Sequence, residues 1–241
     1  MKNKLVLYHG SREIIEKPSL QKSNPQNDYG KGFYCTESIE LAREWACATT
    51  DNGYVNSYTI DVSALTVFNL SDGRYNILNW LALLLKNRAF VTSAPLAQEA
   101  KAYIIDMFSV NTSGADIIIG YRADDSYFSF ARDFVNNTIS LKQLTRAMFL
   151  GKLGEQVVLM SDKAFAVAVH TGYQVVDGRV YNLKRVLRDK NARDEYLNVG
   201  RKVTAISNDD LFIADIIRGG IKNDDARIQR ILPEQRHVQP R

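Results

Sequence analysis

Apolar residues recur along this chain with two periods, and the switches between them mark the elements. From Lys4 to His9 they alternate in a β-rich run that stops at Gly10-Ser11, which predicts a first strand. A polar stretch with two prolines follows, from Pro18 to Asp28, and then Phe33-Tyr34-Cys35-Thr36 predicts a second, short strand. Ser38 is placed to cap a helix with Ile39, Ala42, Trp45 and Ala46 on one face. Alternation returns from Tyr54 to Val62 and predicts a third strand.

The middle of the chain changes period. Ile77 to Arg88 and Leu96 to Phe108 carry apolar residues three and four apart, which predicts two helices. Asp116-Ile117-Ile118-Ile119-Gly120 is a short apolar run between turn signals, as a buried strand requires. Ser140 with Gln143 forms a capping-box pair for a helix to about Leu150. Gly151 and Gly154 end that helix, and Glu155 to Met160 predicts a further strand. Beyond it the pattern predicts helices over Asn182–Asn198 and Asn208–Arg218, then a polar tail after Pro233. This divides the chain into a mixed core, residues 1–170, and a mostly helical extension, residues 171–241, with a margin of about ten residues on the boundary.

Charge sharpens that division. Residues 1–170 carry 17 basic and 17 acidic side chains, and residues 171–241 carry 14 and 10. The whole net charge of +4 therefore falls in the extension, where it permits a polyanionic partner without requiring one. Composition, at 45% hydrophobic and 24% charged over 241 residues, is that of a globular protein and excludes disordered and collagen-like classes. The two cysteines, Cys35 and Cys47, form no CxxC pair, which points to reduced thiols in a cytoplasmic protein rather than a zinc or disulfide scaffold. The longest apolar run, Trp80 to Leu85, falls far short of the ~20 residues of a membrane span. The expectation is a soluble protein with no membrane partner.

Several residues stand apart from core patterning. His9, with Gly10 and Ser11, places an imidazole and a small-residue turn at the carboxyl end of the first strand, where a ligand can reach the backbone. A histidine satisfied by a nearby carbonyl is the plainer alternative. Asp28-Tyr29-Gly30-Lys31-Gly32-Phe33-Tyr34 lets the chain pass close to a flat or charged ligand, with Tyr34 offering a stacking face. Alternatively Phe33 and Tyr34 are packing residues. Neither a phosphate-binding loop nor a complete GxGxxG is present. Glu155 and Gln156 open a strand side by side, so only one can face a given cleft. Asp124-Asp125 either bind a metal or favour the start of the helix behind them.

Taken in order, Tyr8-His9-Gly10-Ser11, Asp28 to Thr36, Asp116 to Asp125 and Glu155 to Phe165 resemble a bacterial family of uncharacterised domains placed among the ADP-ribosyltransferase-like proteins. The resemblance covers roughly residues 4 to 170. It implies an α+β fold: an ADP-ribosyltransferase-like split β-sandwich with flanking helices, here with the C-terminal helical extension. It further implies NAD as co-substrate and transfer of ADP-ribose to a protein or nucleic-acid acceptor with release of nicotinamide. A toxin or phage-defence setting, with a neutralising partner protein, goes with it.

In the His-Tyr-Glu group, His9 would bond the adenosine ribose, Gly10 would let the backbone hold the nicotinamide amide, and Tyr34 would stack on the nicotinamide ring. Glu155 or Gln156 would occupy the third position, normally a carboxylate on the nicotinamide ribose. Arg122, Asp124, Asp125 and Tyr127 are candidates for the acceptor side. Arg179, Lys184, Arg185, Arg188, Lys190, Arg193, Arg201 and Lys202 are candidates for phosphate contacts if the acceptor is nucleic acid. Two other functions fit the same segments: a non-catalytic binding module on this fold, suggested by Gln156, and NAD-dependent removal of a 2′-phosphate from RNA.

Overall fold

The computed structural model describes residues 3–123, 125–150, 154–202 and 210–229. In chain order they form β1 (Lys4–Ser11), β2 (Phe33–Cys35), α1 (Ile39–Ala46), β3 (Gly53–Asp61), β4 (Val67–Asn69), α2 (Ile77–Asn87), α3 (Pro95–Phe108), β5 (Ile117–Tyr121) and α4 (Asp125–Val135). There follow α5 (Leu141–Ala147), β6 (Glu155–Leu159), α6 (Asp162–Ala166), β7 (Ala168–Val176), α7 (Gly178–Lys202), α8 (Ile213–Arg218) and α9 (Ala226–Gln229). The class is α+β. Among the described residues no helix is long and apolar enough to cross a membrane.

The strands form two sheets. One is antiparallel in the order β1-β3-β7, and the other runs β2-β6-β5-β4 with only the β4–β5 pair parallel. Leu7, Tyr58 and Ile60 of the first sheet pack with Phe33, Cys35, Ile117, Val157 and Leu159 of the second in one core cluster. Neighbouring residues of the second sheet, Ile118 and Val158, belong instead to a larger cluster with α2, α3, α4 and α5. The period-2 alternation of the strands thus divides their side chains between an inter-sheet core and a helical core. Backbone bonds join the sheets directly: Tyr8 N–H donates to Thr36 O (2.8 Å) and Thr36 N–H to Tyr8 O (2.9 Å). That link sets β1 beside β2, and His9 therefore beside Tyr34.

Local sequence explains the helix starts. Ser38 accepts from Leu41 N–H, and both Asn76 with Asn79 and Ser140 with Gln143 form reciprocal capping boxes. The structure departs from the sequence reading in the last third. Ala168–Val176 is a strand on the edge of the first sheet: half-buried and exposed positions alternate from Ala168 to Tyr173, and Tyr173 to Val175 are all exposed. Residue 170 lies inside that strand, and the helical part begins at Gly178. Its later helices are not separate from the core. Ile213, Ile216, Ile221 and Ile228 are buried in the large cluster, and Asn223 Oδ1 accepts from Asn76 and Asn79 (both 2.9 Å). The expected helix start at Asn208 and the tail after Pro233 lie outside the described residues.

Candidate active site

A polar cavity of about 1070 Å³ opens where the ends of β1, β2 and β6 come near α1 and α7. Its wall includes His9, Gly10, Phe33, Tyr34 and Gln156 from the strands and Trp45 from α1. Asn182, Arg185, Val186, Asp189 and Arg193 contribute from α7. The residues expected from sequence therefore meet, with two exceptions. Glu155 and Ser11 do not line the cavity.

The exception at 155 follows from strand geometry. Gln156 is opposite Gly120, and Glu155 is opposite Tyr121, on alternate faces of β6. Gln156, 3% exposed, is the one on the cavity side. The residue of this pair on the cavity wall is thus an amide, and the carboxylate beside it in sequence does not line the cavity. Ser11 is used structurally, its Oγ accepting from Asn56 Nδ2 (3.1 Å).

His9 stacks on Phe33, with centroids 4.2 Å apart, and its Nδ1–H donates to the Tyr34 carbonyl (2.7 Å). The plainer expectation for His9 holds, since a carbonyl satisfies the ring, and the ring also lines the cavity. Burial lowers its pKa below the ordinary value, with the bond to Tyr34 opposing. A neutral ring with Nδ1 protonated leaves Nε2 as an acceptor. Gly10 is required by a helix: a Cβ there would sit 2.1 Å from the Ala42 carbonyl oxygen, so α1 crosses the end of β1 only because no side chain intervenes.

Tyr34 is held at both ends. Its hydroxyl donates to Gly30 O (2.7 Å) and accepts from Tyr29 N–H (3.0 Å), and burial pushes its pKa up. The ring is a fixed wall rather than a proton donor to the cavity.

Four carboxylates line the cavity, Glu13, Glu16, Asp28 and Asp189, and the one bonded to Gln156 is Asp28, which stands out in sequence only as the first residue of a segment. Asp28 Oδ2 accepts from Gln156 Nε2 (2.8 Å) and Ala123 N–H (2.9 Å), and Oδ1 pairs with Arg88 (3.2 Å). Burial raises its pKa, opposed by the Ala123 N–H, Gln156 and Arg88. Arg88 stacks over Phe128 and Arg122 over Trp45, at 4.6 and 4.2 Å from the ring centroids. All four line the cavity, and the Trp45 indole N–H is buried without a hydrogen-bond partner among the described residues. Trp45 and Arg88 read in sequence as ordinary helix residues. No local signal ties them to Asp28, which is 60 residues from Arg88 and 128 from Gln156.

The other expected positions are scattered. Arg122 lines the cavity, but Tyr127 is 1% exposed in the helical core and cannot meet an acceptor. Asp124 and the side chain of Asp125 lie outside the described residues. On α7, Arg188 pairs with Glu44, Lys184 with Glu40 and Arg193 with Asp189, so much of the basic row is paired with carboxylates. Arg185 and Arg193 reach the cavity, while Arg179 and Lys190 are exposed. The side chains of Arg201 and Lys202 lie outside the described residues. Cys35 and Cys47 are free thiols, buried in separate core clusters.

The fold and site thus define an α+β protein with one buried carboxylate–amide pair, a stacked imidazole and several guanidinium groups around a cavity. The family described as "Protein of unknown function (DUF3990)" matches residues 5–170, more than half of the chain, and the chain belongs to it. No curated protein and no solved structure matches.

Proposed function

We propose that this chain is an NAD-dependent ADP-ribosyltransferase whose fold is a split β-sandwich and whose cavity holds NAD. The observation that carries the reading is convergence: His9, Tyr34 and Gln156 come from three strands in two sheets and line one cavity. Its volume, about 1070 Å³, matches the upper end of small-molecule sites. The donor set also fits a dinucleotide. Arg88 and Arg193, paired with Asp28 and Asp189, together with Arg122 and Arg185 bring positive charge to the cavity wall for a pyrophosphate. His9 Nε2 accepts from a ribose hydroxyl, and the Tyr34 ring gives a flat face on the cavity wall.

In the reaction, the bond between C1′ of the ribose and the nicotinamide nitrogen breaks, and its electron pair stays on that nitrogen. Positive charge passes from the pyridinium to the ribose, as in glycosidic cleavage. A lone pair of the acceptor then bonds C1′, and the acceptor's proton leaves to water. The products are nicotinamide, ADP-ribosylated acceptor and one proton. The acceptor is a macromolecule reaching the mouth beside α7.

The amide at Gln156 favours a second reading, a binding module that keeps NAD intact. Incubating the purified chain with labelled NAD and cell lysate separates the two. Release of nicotinamide with label on protein or nucleic acid supports transfer, and NAD binding without release supports the module. Absence of NAD binding overturns both.

A further inference from the structure

We propose that Asp28 is a positioning residue that locks Gln156 as a hydrogen-bond acceptor, so that the pair together does the work of a single catalytic carboxylate. The inference rests on the NAD reading above and names how that site is charged.

Gln156 Nε2 lies 2.8 Å from Asp28 Oδ2 and 3.3 Å from Tyr121 O. An ionised carboxylate and a backbone carbonyl only accept. Turning the amide over would set its oxygen against both, so one orientation is allowed. The Tyr121 carbonyl is itself fixed, because Tyr29 Oη–H (2.7 Å) and Trp80 Nε1–H (3.0 Å) also donate to it. Tyr29 can reach it only because residue 120 is glycine: a Cβ there would lie 2.3 Å from the Tyr29 hydroxyl. With both amide hydrogens engaged, the polar atom Gln156 has left for a ligand is Oε1.

A charge-assisted bond on the amide nitrogen draws electron density toward that oxygen. The negative charge of Asp28 therefore acts on the ribose through a neutral group. Asp28 is kept in place by the Ala123 N–H and Arg88, from two other segments. The arrangement also accounts for the amide in a position where the motif expects a carboxylate. A second carboxylate at 156 would stand 2.8 Å from the first, and one of the two would hold a proton. Asp28 with Gln156 carries one charge, as a lone glutamate does.

The test uses the full chain and NAD, following nicotinamide release and, by calorimetry, NAD affinity. Asp28→Asn replaces the acceptor with a group that can donate to Gln156 Oε1, so the amide is free to turn. Its release rate should drop about 100-fold, as when a fixed electrostatic contact is lost, while NAD affinity is retained. The reciprocal swap, Asp28→Asn with Gln156→Glu, keeps one carboxylate and one amide and should recover most of the rate. A purely structural role for Asp28 would alter affinity and rate together. An Asp28→Asn rate equal to wild type overturns the inference and leaves the NAD reading intact; a swap that folds yet stays as slow as Asp28→Asn also overturns it. A wild-type chain that does not bind NAD overturns the reading itself. If Asp28→Asn does not fold, the wild-type Gln156 side-chain amide signals in an NMR spectrum decide. Two slowly exchanging protons support the lock, and fast exchange of either contradicts it.

Discussion

On the sheet side of the cavity, Asp28, Tyr34 and Gln156 have their polar atoms tied to fixed partners in other segments. On the α7 side, Asn182 and Arg185 are half-buried and Arg193 is exposed, with Asn182 donating to the Cys47 and Ala48 carbonyls and Arg193 paired with Asp189. The first wall is preorganised, as a transition state with developing charge requires. The second is more exposed to solvent, as recognition of a large acceptor requires. In the proposed reaction the first wall would be the site for chemistry and the second the surface that selects the acceptor.

Substitutions on the two walls should differ most in stability. Asp28→Ala removes the acceptor for Arg88, Gln156 and the Ala123 N–H together, and should cost about 3–5 kcal/mol in urea unfolding, the usual cost of orphaning one partner of a buried ion pair. Gly10→Ala forces a methyl group into the α1 backbone and should cost about 1–3 kcal/mol in the same measurement. Arg185→Ala on α7 should change stability by no more than about 0.5 kcal/mol, yet slow labelling of the acceptor. If Arg185→Ala destabilises as much as Asp28→Ala, the two walls are not distinct.

A smaller effect sharpens the sheet wall alone. His9 is held below its ordinary pKa, so between the lowered native value and the unfolded value of 6.5 the unfolded chain binds more protons. Its contribution to stability is therefore full above 6.5 and declines as pH falls toward the native value. Asp28 has the opposite sign. Its raised value means that stability drains as pH rises from the unfolded value of 3.8 through the native one. His9→Gln should flatten the rise of stability just below pH 6.5 and leave the acid region unchanged, read from thermal melts across pH.

The first wall was partly legible in the sequence. His9, Tyr34 and the 155–156 pair were each visible as chemistry-bearing residues at strand ends, because period-2 alternation exposes a polar residue in an apolar run. Which of Glu155 and Gln156 faces inward depends on the register of β6 against β5, and no local pattern fixes it. Asp28 ended a polar loop, where carboxylates are commonplace, and its partners are distant in sequence. Trp45 sat on a helix face that predicts core. The edge strand β7 escaped because Gly172 interrupts it and no residue before Val176 is fully buried, so it lacks the apolar run that marks the other strands. The helices with capping signals at Ser38 and Ser140 were legible because their determinants lie within four residues.

The central claim is that NAD occupies this cavity with its nicotinamide ribose at Gln156. A crystal structure of the chain with carba-NAD, whose nicotinamide bond cannot break, tests it directly. The account predicts the nicotinamide ring against Tyr34 and a ribose hydroxyl about 2.8 Å from Gln156 Oε1. A dinucleotide bound elsewhere, or bound here with its nicotinamide ribose away from Gln156, would contradict it.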